Sequence, residues 1–539
     1  MKTLSKTLLI FIFIGTTFKS GAIDQQWSRT YNGGSNDKGL QVTTEPGFAY
    51  LAGISETLAG TKLVNSTYTD VGTLISLNIS NTFLSSSNVK QIERDPSKAM
   101  YVLCQNGAES FTLIKYSSNG IEKWRRNFPN LVVKIVVGHS SGVYICYFNG
   151  TGVSIRKLNR NNGTINWTRN IVDPNLIANT YTFDFTLDPN DNSFFAGTSS
   201  EFGTDYDYRL VKVKKNNTLI YNIQFTNPGT RDEVANKIAA NSAGELFLVG
   251  DFNNAIVTRN YFFMVKFSSL GAFLWATQYE TSGGPTAAFF PLEVQIGLDG
   301  NVVTVGNHTN FFSINPLGEV KRVKVSKFNS VTGAILFSVF PNAPLGTEDN
   351  IKEFANCMSI DDNNDIYFGG GSNTYAGVDV EPNRYMISKV SGIDGTLQWV
   401  DASVGGIDDL ANQVNDISVT PGYDVYMAST RHLGANLDME IAKYCQVGCF
   451  GGRYASVIDQ PIDFMIYPNP SATSFKIVIS QTNEPIQMNI FNIKGELIET
   501  KQVTTNELEF GNEYAEGIYF VRMGNNKINK TFKISKINN

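Results

Sequence analysis

The sequence is poor in the residue types that build metal and redox sites. It contains three histidines in 539 residues, His139, His308 and His432, and no two of them have the spacing of a metal-binding pair. Its five cysteines include no adjacent pair. No metal site, cofactor or disulfide scaffold is therefore predicted, apart from the weak calcium alternative described below.

A long apolar run is also missing. The longest one, 8–18, is mostly apolar and has 11 residues, whereas a helix that spans a bilayer needs about 20. Lys2 and Lys6 precede this run, and the small residues Ser20 and Ala22 follow it at a spacing that a signal peptidase accepts. Residues 1–22 are therefore predicted to be a signal peptide, and no transmembrane segment is predicted after them.

The sequence has no excess of positive charge. It carries 44 Lys and Arg against 49 Asp and Glu, and removal of the signal peptide would take away three more lysines. An acidic mature chain argues against nucleic acid or an anionic membrane as the main partner. Amphipathic helical patterns are lacking too, whereas 47 glycines and 12% aromatic residues are typical of a β-rich protein with many tight turns.

The cysteines of an exported protein can form disulfides. Cys445 and Cys449, in the segment CQVGC, are close enough in sequence to form a local bridge. Cys104 and Cys146 lie in strand-like apolar runs and are predicted to be buried thiols. Cys357 makes the number of cysteines odd, so the pairing stays open at this point.

One short pattern occurs eight times. In each copy, turn residues precede a compact apolar strand, as in EPGFAYLAG and DNNDIYFGG. An alternating strand comes before it, a third strand that usually ends on Lys comes after it, and a fourth strand often carries Trp. The aligned positions of the second strand, spaced by 43 to 64 residues, are Tyr50, Tyr101, Tyr144, Phe194, Phe247, Val303, Tyr367 and Tyr426. The lysines of the third strand, which the first unit lacks, are Lys115, Lys157, Lys212, Lys266, Lys327, Lys389 and Lys443.

Four strands in each of eight units predict an all-β fold, an eight-bladed β-propeller over residues 23–445, with seven blades as the alternative. The last unit has only three strands, whereas the N-terminal segment QQWSRTY has the character of a fourth strand without three strands before it. Trp27 is therefore predicted to lie in the outer strand of the last blade. This pairing would join both ends of the repeat and close the ring.

A Gly-x-x-Asp pattern recurs between the units and ends at Asp37, Asp232, Asp349 and Asp409. Asp in turns commonly accepts hydrogen bonds from backbone N–H groups, so a structural role is predicted for these residues. Calcium binding in the turns, including DDNND at 361–365, is the weaker alternative.

Two resemblances favour the propeller. The Trp-bearing strand, the Gly-x-x-Asp link and the strand PGFAYLAG resemble the SBBP-type β-propeller repeat of secreted bacterial proteins, over about 27–445. The segments KLNRNNGTINW and KVSGIDGTLQW are similar to the Trp-docking turns of eight-bladed quinoproteins. Both resemblances imply a fold rather than an activity.

The C-terminal segment has a different pattern. Residues 446–462 are predicted to be a linker, and 463–539 a small β-sandwich. The sandwich resembles the C-terminal sorting domain of the type IX (Por) secretion system of Bacteroidetes. This implies passage through the periplasm, the type IX machinery as a partner, and removal of the tail with release or attachment at the cell surface. A further adhesive β-sandwich is the alternative. The matching residues are Tyr467, Pro468, Asn469, Pro470, Gly495 and Gly517.

Evidence for catalysis is scarce in the sequence. The segment GHSSG at 138–142 formally matches Gly-x-Ser-x-Gly, with Ser140 at the position of the nucleophile. Strand-like segments stand on both sides of it, so Ser140 is predicted to lie in a hairpin turn. No catalytic residue is predicted. An Asp/Glu pair could meet across blades for acid–base chemistry, but the sequence singles none out.

The loops between second and third strands vary in length, which is typical of a binding face on a rigid scaffold. Long loops are predicted in blades one, six, seven and eight. The sequence thus predicts an exported, non-enzymatic protein that binds glycan or protein ligands. A secreted polysaccharide hydrolase or lyase and a structural surface component are the alternatives. The candidate ligand contacts are Phe311, Phe312, Tyr375, Arg431 and His432.

Overall fold

The structure is a computed structural model of the chain. It describes residues 24–537, with gaps at 34–35, 58–59, 81–87, 108–109, 119–120, 141, 177–182, 202–204, 227–231, 255–258, 282–286, 312–318, 342–351, 374–383, 402–412, 422, 434–435, 446–463, 468–470, 480–485, 504–506 and 525–528. Contacts between Cα atoms divide the chain into two compact units, residues 1–449 and 450–539. The named elements of the described residues are all β-strands. These residues include no helix that is long and apolar enough to cross a membrane.

The first unit consists of four-stranded antiparallel groups, which we call sheets one to eight. The first strand, β1 (Asp24–Tyr31), belongs to sheet eight. Sheet one contains β2 (Asn36–Glu45), β3 (Phe48–Thr57), β4 (Gly60–Thr69) and β5 (Leu74–Ile79). Sheet two contains β6 (Asn88–Arg94), β7 (Met100–Gly107), β8 (Ser110–Tyr116) and β9 (Glu122–Phe128). Sheet three contains β10 (Val132–Val137), β11 (Gly142–Phe148), β12 (Gly152–Asn159) and β13 (Ile165–Val172). Sheet four contains β14 (Asp184–Leu187), β15 (Ser193–Glu201), β16 (Asp205–Val213) and β17 (Leu219–Phe225).

The other four sheets repeat this order. Single parallel bridges join sheet four to sheet five, and sheet six to sheet seven. Sheet five contains β18 (Asp232–Ala240), β19 (Leu246–Asn254), β20 (Arg259–Phe267) and β21 (Phe273–Thr281). Sheet six contains β22 (Ala287–Ile296), β23 (Val302–Phe311), β24 (Glu319–Phe328) and β25 (Ile335–Val339). Sheet seven contains β26 (Lys352–Ile360), β27 (Ile366–Asn373), β28 (Arg384–Val390) and β29 (Leu397–Asp401). Sheet eight contains β30 (Gln413–Val419), β31 (Val425–Leu433) and β32 (Asn436–Cys445), with β1 as its outer strand.

The repeated sequence pattern has one structural cause. The aligned aromatic residue, the lysine and the fourth-strand aromatic residue are direct cross-strand neighbours: Lys115 pairs with both Tyr101 and Trp124. The Nζ atom of Lys115 lies 5.1 Å from the centroid of the Tyr101 ring, within the range of a cation–π contact. The same register places Lys443 between Tyr426 and Trp27. The predicted β-propeller fold is confirmed, and Trp27 pairs with the strand that was predicted for it.

Apolar clusters lie between consecutive sheets. Each of seven clusters joins one sheet to the next along the chain, from sheets one and two to sheets seven and eight. An eighth cluster joins sheet eight to sheet one, with Met439 and Ile441 against Val42 and Leu51. All four side chains are at most 2% exposed. Each sheet thus buries its two faces against its two neighbours, which a single sheet cannot do alone.

The first strands share a further irregularity. In seven of the eight sheets, the pairing of the first strand with the second shifts by one residue near the middle of the strand. Such a β-bulge turns a side chain away from its regular direction. The described strand β14 is the exception. The shifts lie at Gly39/Gln41, Val89/Gln91, Val132/Lys134, Ala235/Lys237, Pro291/Glu293, Ala355/Cys357 and Val414/Asp416.

The cysteines agree with the sequence prediction where the structure describes them. Cys104 and Cys146 are free and buried, as predicted, and Cys357 is a third buried free thiol. Cys445 is disulfide-bonded. Its predicted partner Cys449 lies outside the described residues.

The second unit is a small β-sandwich. One sheet has the order β33-β34-β37 and the other β36-β35-β38-β39. Phe475 and Phe510 of the first sheet face Ile490 and Val521 of the second in one buried core. Of the predicted motif, 468–470 lie outside the described residues, and Tyr467 ends β33. The strands are β33 (Phe464–Tyr467), β34 (Phe475–Ile479), β35 (Ile486–Asn492), β36 (Leu497–Val503), β37 (Glu507–Phe510), β38 (Gly517–Gly524) and β39 (Asn529–Lys536).

Candidate functional site

Of the five predicted ligand contacts, the structure describes the positions of Phe311, Arg431 and His432 in the strands. Arg431 and His432 lie within β31 rather than in a loop, because β31 and β32 are separated by only two residues. Arg431 contacts Glu440 of the adjacent strand at 3.4 Å. Phe311 is the last residue of β23. Phe312 and Tyr375 lie outside the described residues. The long loop predicted in blade one is also wrong, since β3 and β4 form a hairpin with two intervening residues.

Ser140 has a structural role. It lies in the turn between β10 and β11, as predicted, and its hydroxyl donates a hydrogen bond to Asp191 of sheet four. The backbone N–H of Ser140 donates to the same carboxylate at 3.0 Å. His139 is 67% exposed in its side chain and contacts Asp191, not the Ser140 hydroxyl. A nucleophile would need the histidine as its base, so these three residues tie two sheets together instead.

The predicted turn carboxylates accept hydrogen bonds from backbone N–H groups. Asp37 accepts a hydrogen bond of 2.5 Å from the N–H of Gly33. In the DDNND turn, Asp361 accepts from the N–H groups of Asn363 and Asp365, both at 2.9 Å. Its second oxygen accepts from the Tyr367 hydroxyl at 2.8 Å. These contacts support the structural role predicted for Asp in the turns. Calcium binding there stays a prediction.

A cavity of the first unit lies among the first strands of sheets three to six. It has a volume of about 810 Å³. Its charged lining comes from Lys134, Asp184, Lys237 and Glu293, each on a different strand. The lining becomes aliphatic toward the turns that follow these strands, at Leu187, Ala240, Ile296 and Leu298.

The two lysines of this cavity differ in their partners. The Nζ atom of Lys134 contacts Asp184 at 2.8 Å. Burial alone would raise the pKa of Asp184, but the positive charges of Lys134 and Lys237 lower it below its usual value. Lys237 has no hydrogen-bond or ion-pair partner within the described part of the chain, although its charge acts on Asp184 and Glu293. Lys237 is therefore free to bind an anionic or hydroxyl group of a ligand.

A second cavity of about 460 Å³ also reaches Glu293, and it lies among the first strands of sheets one, two, six, seven and eight. Asp416, Gln91 and Cys357 line it. Burial, and then the charges of Glu293 and Glu93, raise the pKa of Asp416 to about 8, against the effect of the Val42 N–H. Burial likewise raises the pKa values of Glu93 and Glu293. These carboxyl groups are therefore protonated more readily than usual.

The carboxylates of the first strands also accept hydrogen bonds from the backbone of the neighbouring sheet. Asp184 accepts from the N–H of Ile238 at 3.0 Å, and Glu293 from the N–H of Met358 at 3.2 Å. Across sheets eight and one, Asp416 accepts from Val42 at 2.9 Å. Each carboxylate therefore has fewer free acceptor positions for a ligand, because one of its oxygen atoms accepts a backbone hydrogen bond. Among the described residues, no group of three His, Cys, Asp or Glu side chains could hold a metal ion.

The sequence patterns described above did not predict these two cavities. Their polar residues stand inside first strands that otherwise read as ordinary alternating strands, as in VVKIVV and LEVQI. The signal that could have found these residues is a charged residue ten positions before the aligned residue of the second strand. Five of the eight units have one: Lys134, Asp184, Lys237, Glu293 and Asp416. The bulges that turn most of these side chains depend on pairing with the second strand, and a sequence pattern does not reveal them.

Comparisons with known proteins identify the second unit. Residues 465–537 match the family of the secretion system C-terminal sorting domain. The chain therefore carries a type IX sorting domain, as the resemblance implied. A search of curated proteins finds no match.

Solved structures similar to the chain include β-propellers. The Dos1 propeller has a TM-score of 0.46 at 8% identity, over 79% of this chain and 95% of that one. A PL25 ulvan lyase bound to a saccharide has a TM-score of 0.38 at 12% identity, over 78% and 96%. The β-propeller domain of the Trilobed protease from Pyrococcus furiosus has a TM-score of 0.38 at 7% identity, over 66% and 93%.

Proposed function

We propose that the protein is exported by the type IX secretion system and acts outside the cell as a non-enzymatic binding protein for a glycan or protein ligand. The first unit would provide the binding site and the second unit the route of export. The observation that carries the binding role is Lys237, a half-buried cation without a partner in the described residues, in a cavity of about 810 Å³. A cavity of this size is typical of small-ligand sites.

Binding is favoured over catalysis by how the carboxylates are held. Asp184 accepts from two backbone N–H groups and from Lys134, and Glu293 accepts from Met358 and from Gln295 at 2.7 Å. A general acid or base has to exchange a proton with the substrate. A carboxylate that is fixed by the backbone of the next sheet is better suited to shape and polarise a pocket. The ligand would meet Lys237 with an acidic or hydroxyl group.

The binding role can be tested with the full-length exported protein on a glycan array and in parallel for release of reducing ends. We expect binding without release. Lys237→Gln should weaken binding about tenfold, the loss expected for a charged hydrogen bond. The control is Lys214→Gln, an exposed lysine outside the cavity. Equal binding by both variants would contradict the proposed site.

A polysaccharide hydrolase or lyase is the second candidate. The raised pKa of Asp416, about 8, would suit a group that gives or takes a proton near neutral pH. Release of reducing or unsaturated ends that disappears in Asp416→Asn would favour this candidate over the binding role.

The export route is inferred from the sorting domain and the predicted signal peptide. The protein would pass through the periplasm, and the tail would be recognised by the type IX machinery. Deletion of 463–539 should leave the protein in the periplasm. Its normal appearance in the medium would contradict this route. Three further predictions from the sequence stay predictions. They are the domain boundaries at 22, 445 and 462, the SBBP-type repeat and an origin in Bacteroidetes.

We further infer that the eight sheets are the blades of one closed ring. The hydrogen bond from Val42 to Asp416 repeats, between sheets eight and one, the bond from Ile238 to Asp184 between sheets four and five. The eighth apolar cluster supports the same closure. The particle outline in an electron micrograph would test the number of blades directly.

A further inference from the structure

Sheet one lacks the lysine that six of the other sheets place over the aligned aromatic ring. In sheet six the aligned residue is Val303, which has no ring. Its third strand has Thr67 at that position, paired with Tyr50. Lys98, from the turn after β6 in sheet two, takes this place, with its Nζ atom 5.0 Å from the centroid of the Tyr50 ring. Lys98 also contacts Glu45 of the first turn in sheet one. The ring and the turn carboxylate of sheet one are therefore already supplied with a cation.

In another sheet, too, a single lysine contacts both the aligned ring and a turn carboxylate. Lys389 lies over Tyr367 and contacts the turn carboxylate of Asp365 at 2.7 Å, as Lys98 does with Tyr50 and Glu45. One cation per aromatic ring is the rule in these sheets. A second cation beside Tyr50 is not needed for the fold.

Arg94 is such a second cation. Its guanidinium carbon lies 5.1 Å from the centroid of the Tyr50 ring, and its Nη2 atom donates to Asn65 at 2.5 Å and approaches the Met100 sulfur at 3.5 Å. The Nε atom is buried and has no hydrogen-bond partner. No carboxylate of the described residues forms an ion pair with Arg94. The side chain as a whole is half-buried, and this burial lowers its pKa to about 10.

An unpaired buried charge is costly, and proteins usually compensate it with an opposite charge. Arg94 lines a pocket of about 420 Å³ between sheets one, two and three. The hydroxyl-bearing residues Thr43 and Thr44 line it as well, and the mostly exposed side chain of His139 stands at its rim. The other charges of the pocket, Glu45, Lys98 and Asp95, already have partners.

We propose that this pocket binds the carboxylate or sulfate group of an acidic sugar, with Arg94 as the anion-binding residue. A guanidinium presents donors that match such oxyanions. A volume of about 420 Å³ suits a ligand of one or two sugar units, and the threonine hydroxyls suit the hydroxyl groups of a sugar. The site is distinct from the cavity around Lys237, with which it shares no lining residue.

Isothermal titration of the full-length protein with glucuronate, a sulfated galactose, neutral glucose, inorganic sulfate and a short acidic peptide tests this site. We expect the acidic sugars to bind and glucose not to bind. Arg94→Gln should lower the affinity at least tenfold, and Arg94→Lys, which keeps the charge but not the planar group, less than that. A loss of affinity in Lys237→Gln but not in Arg94→Gln would place the acidic sugar in the cavity around Lys237 and would overturn the proposal.

Arg169→Gln is the matched control. Arg169 lies on the outer strand β13, where it donates to Asn217 at 3.0 Å, and its loss should not change the affinity. The proposal is overturned if no acidic sugar binds, if Arg94→Gln binds as well as the unchanged protein, or if the peptide or inorganic sulfate binds as tightly as the sugars. If Arg94→Gln does not fold, an unchanged affinity in Arg94→Lys overturns it.

Discussion

The indole nitrogen of Trp27 donates a hydrogen bond of 2.9 Å to the main-chain carbonyl of Asp70, 43 residues further along the chain. The ring lies against Gly72 and leaves no space for a side chain there, because a Cβ atom would be only 2.6 Å from the ring. Gly72 also has a φ of +77°, which favours glycine. Trp27 belongs to sheet eight and Gly72 to sheet one. Trp124 of sheet two makes the same contact with Gly163 of sheet three.

Substitution of Trp27 by Ala should therefore destabilise the whole first unit. We expect a loss of about 2 kcal/mol in the free energy of unfolding, because the ring is half-buried in the cluster between sheets eight and one. Denaturant titration followed by intrinsic fluorescence measures this loss.

The matched variant is Trp167→Ala. Trp167 is also half-buried and donates to the carbonyl of Lys215 in the next sheet at 3.0 Å, but both partners lie inside the chain of repeats. Similar losses for the two variants are expected of a closed ring. If Trp27→Ala left the stability unchanged while Trp167→Ala lowered it, β1 would be a dispensable edge strand.

The repeated architecture could be predicted because it depends on side chains that recur at fixed positions. Tyr101, Lys115 and Trp124 stand in one cross-strand row, so their spacing in sequence reports the pairing of three strands. The lengths of the loops were harder to predict from the sequence. The segment after Ile54 contains polar and glycine residues, yet it continues as strands β3 and β4, since the cross-strand partners override local preference.

The candidate sites could not be predicted for a different reason. Lys237 and Asp184 are 53 positions apart, and Arg94 and Asn65 belong to different sheets, so their proximity depends on how sheets pack side by side. The absent lysine of sheet one was visible in the sequence. The sequence did not show that Lys98 of sheet two takes the place of this lysine over Tyr50. It also did not show that Arg94 is a second cation at the same ring, because both contacts depend on how sheets one and two pack.

The stability of the first unit should fall as the pH rises from about 5 to 8. The pKa of Asp416 is about 8 in the folded protein, whereas an unfolded Asp has a pKa near 3.9. Between these values the folded state holds a proton that the unfolded state has lost, so rising pH favours unfolding. We expect a loss of about 2 kcal/mol, less than full proton linkage would give, because the side chain of Asp416 lines the cavity of about 460 Å³ and is partly solvated.

Asp416→Asn should flatten this pH dependence, at a cost of about 1 kcal/mol at pH 5 for the weakened hydrogen bond from Val42. Glu93 and Glu293, whose pKa values are also raised, would account for the remaining slope. The comparison variant is Asp394→Asn. Its exposed carboxyl accepts from Thr396 and has a lowered pKa, so its contribution is lost as the pH falls. An unchanged slope in Asp416→Asn would contradict the assignment.

The three free thiols should be unreactive in the folded protein. Burial raises the pKa of Cys104 to about 12 and the pKa values of Cys146 and Cys357 well above the usual value. Reactivity requires the thiolate and access to it. At pH 8, a thiol reagent should label none of them before unfolding and all three after it. Rapid labelling of Cys104 or Cys146 in the native protein would show that its sheet opens locally. Rapid labelling of Cys357 would instead show that the reagent reaches it through the cavity of about 460 Å³ that it lines.

In the sorting domain, Gly495 should be intolerant of β-branched residues. It occupies the turn between β35 and β36 with a φ of +80°, and its N–H donates to the carbonyl of Asn492 at 3.0 Å. A Cβ atom would meet nothing within 4 Å, so any cost comes from the backbone alone. Gly495→Val should destabilise this unit by about 1–2 kcal/mol and reduce the amount of exported protein.

Two variants of the same turn separate conformation from side-chain chemistry. Gly495→Asn should be nearly neutral, because Asn adopts positive φ at little cost. Lys494→Val places the same β-branched side chain one position earlier, on an exposed residue without a positive φ. Full export of Gly495→Val, measured by quantitative immunoblotting of the medium, would mean that the left-handed turn is not required for recognition of the tail. Equal loss of export in Lys494→Val would instead point to a contact of the turn with the secretion machinery.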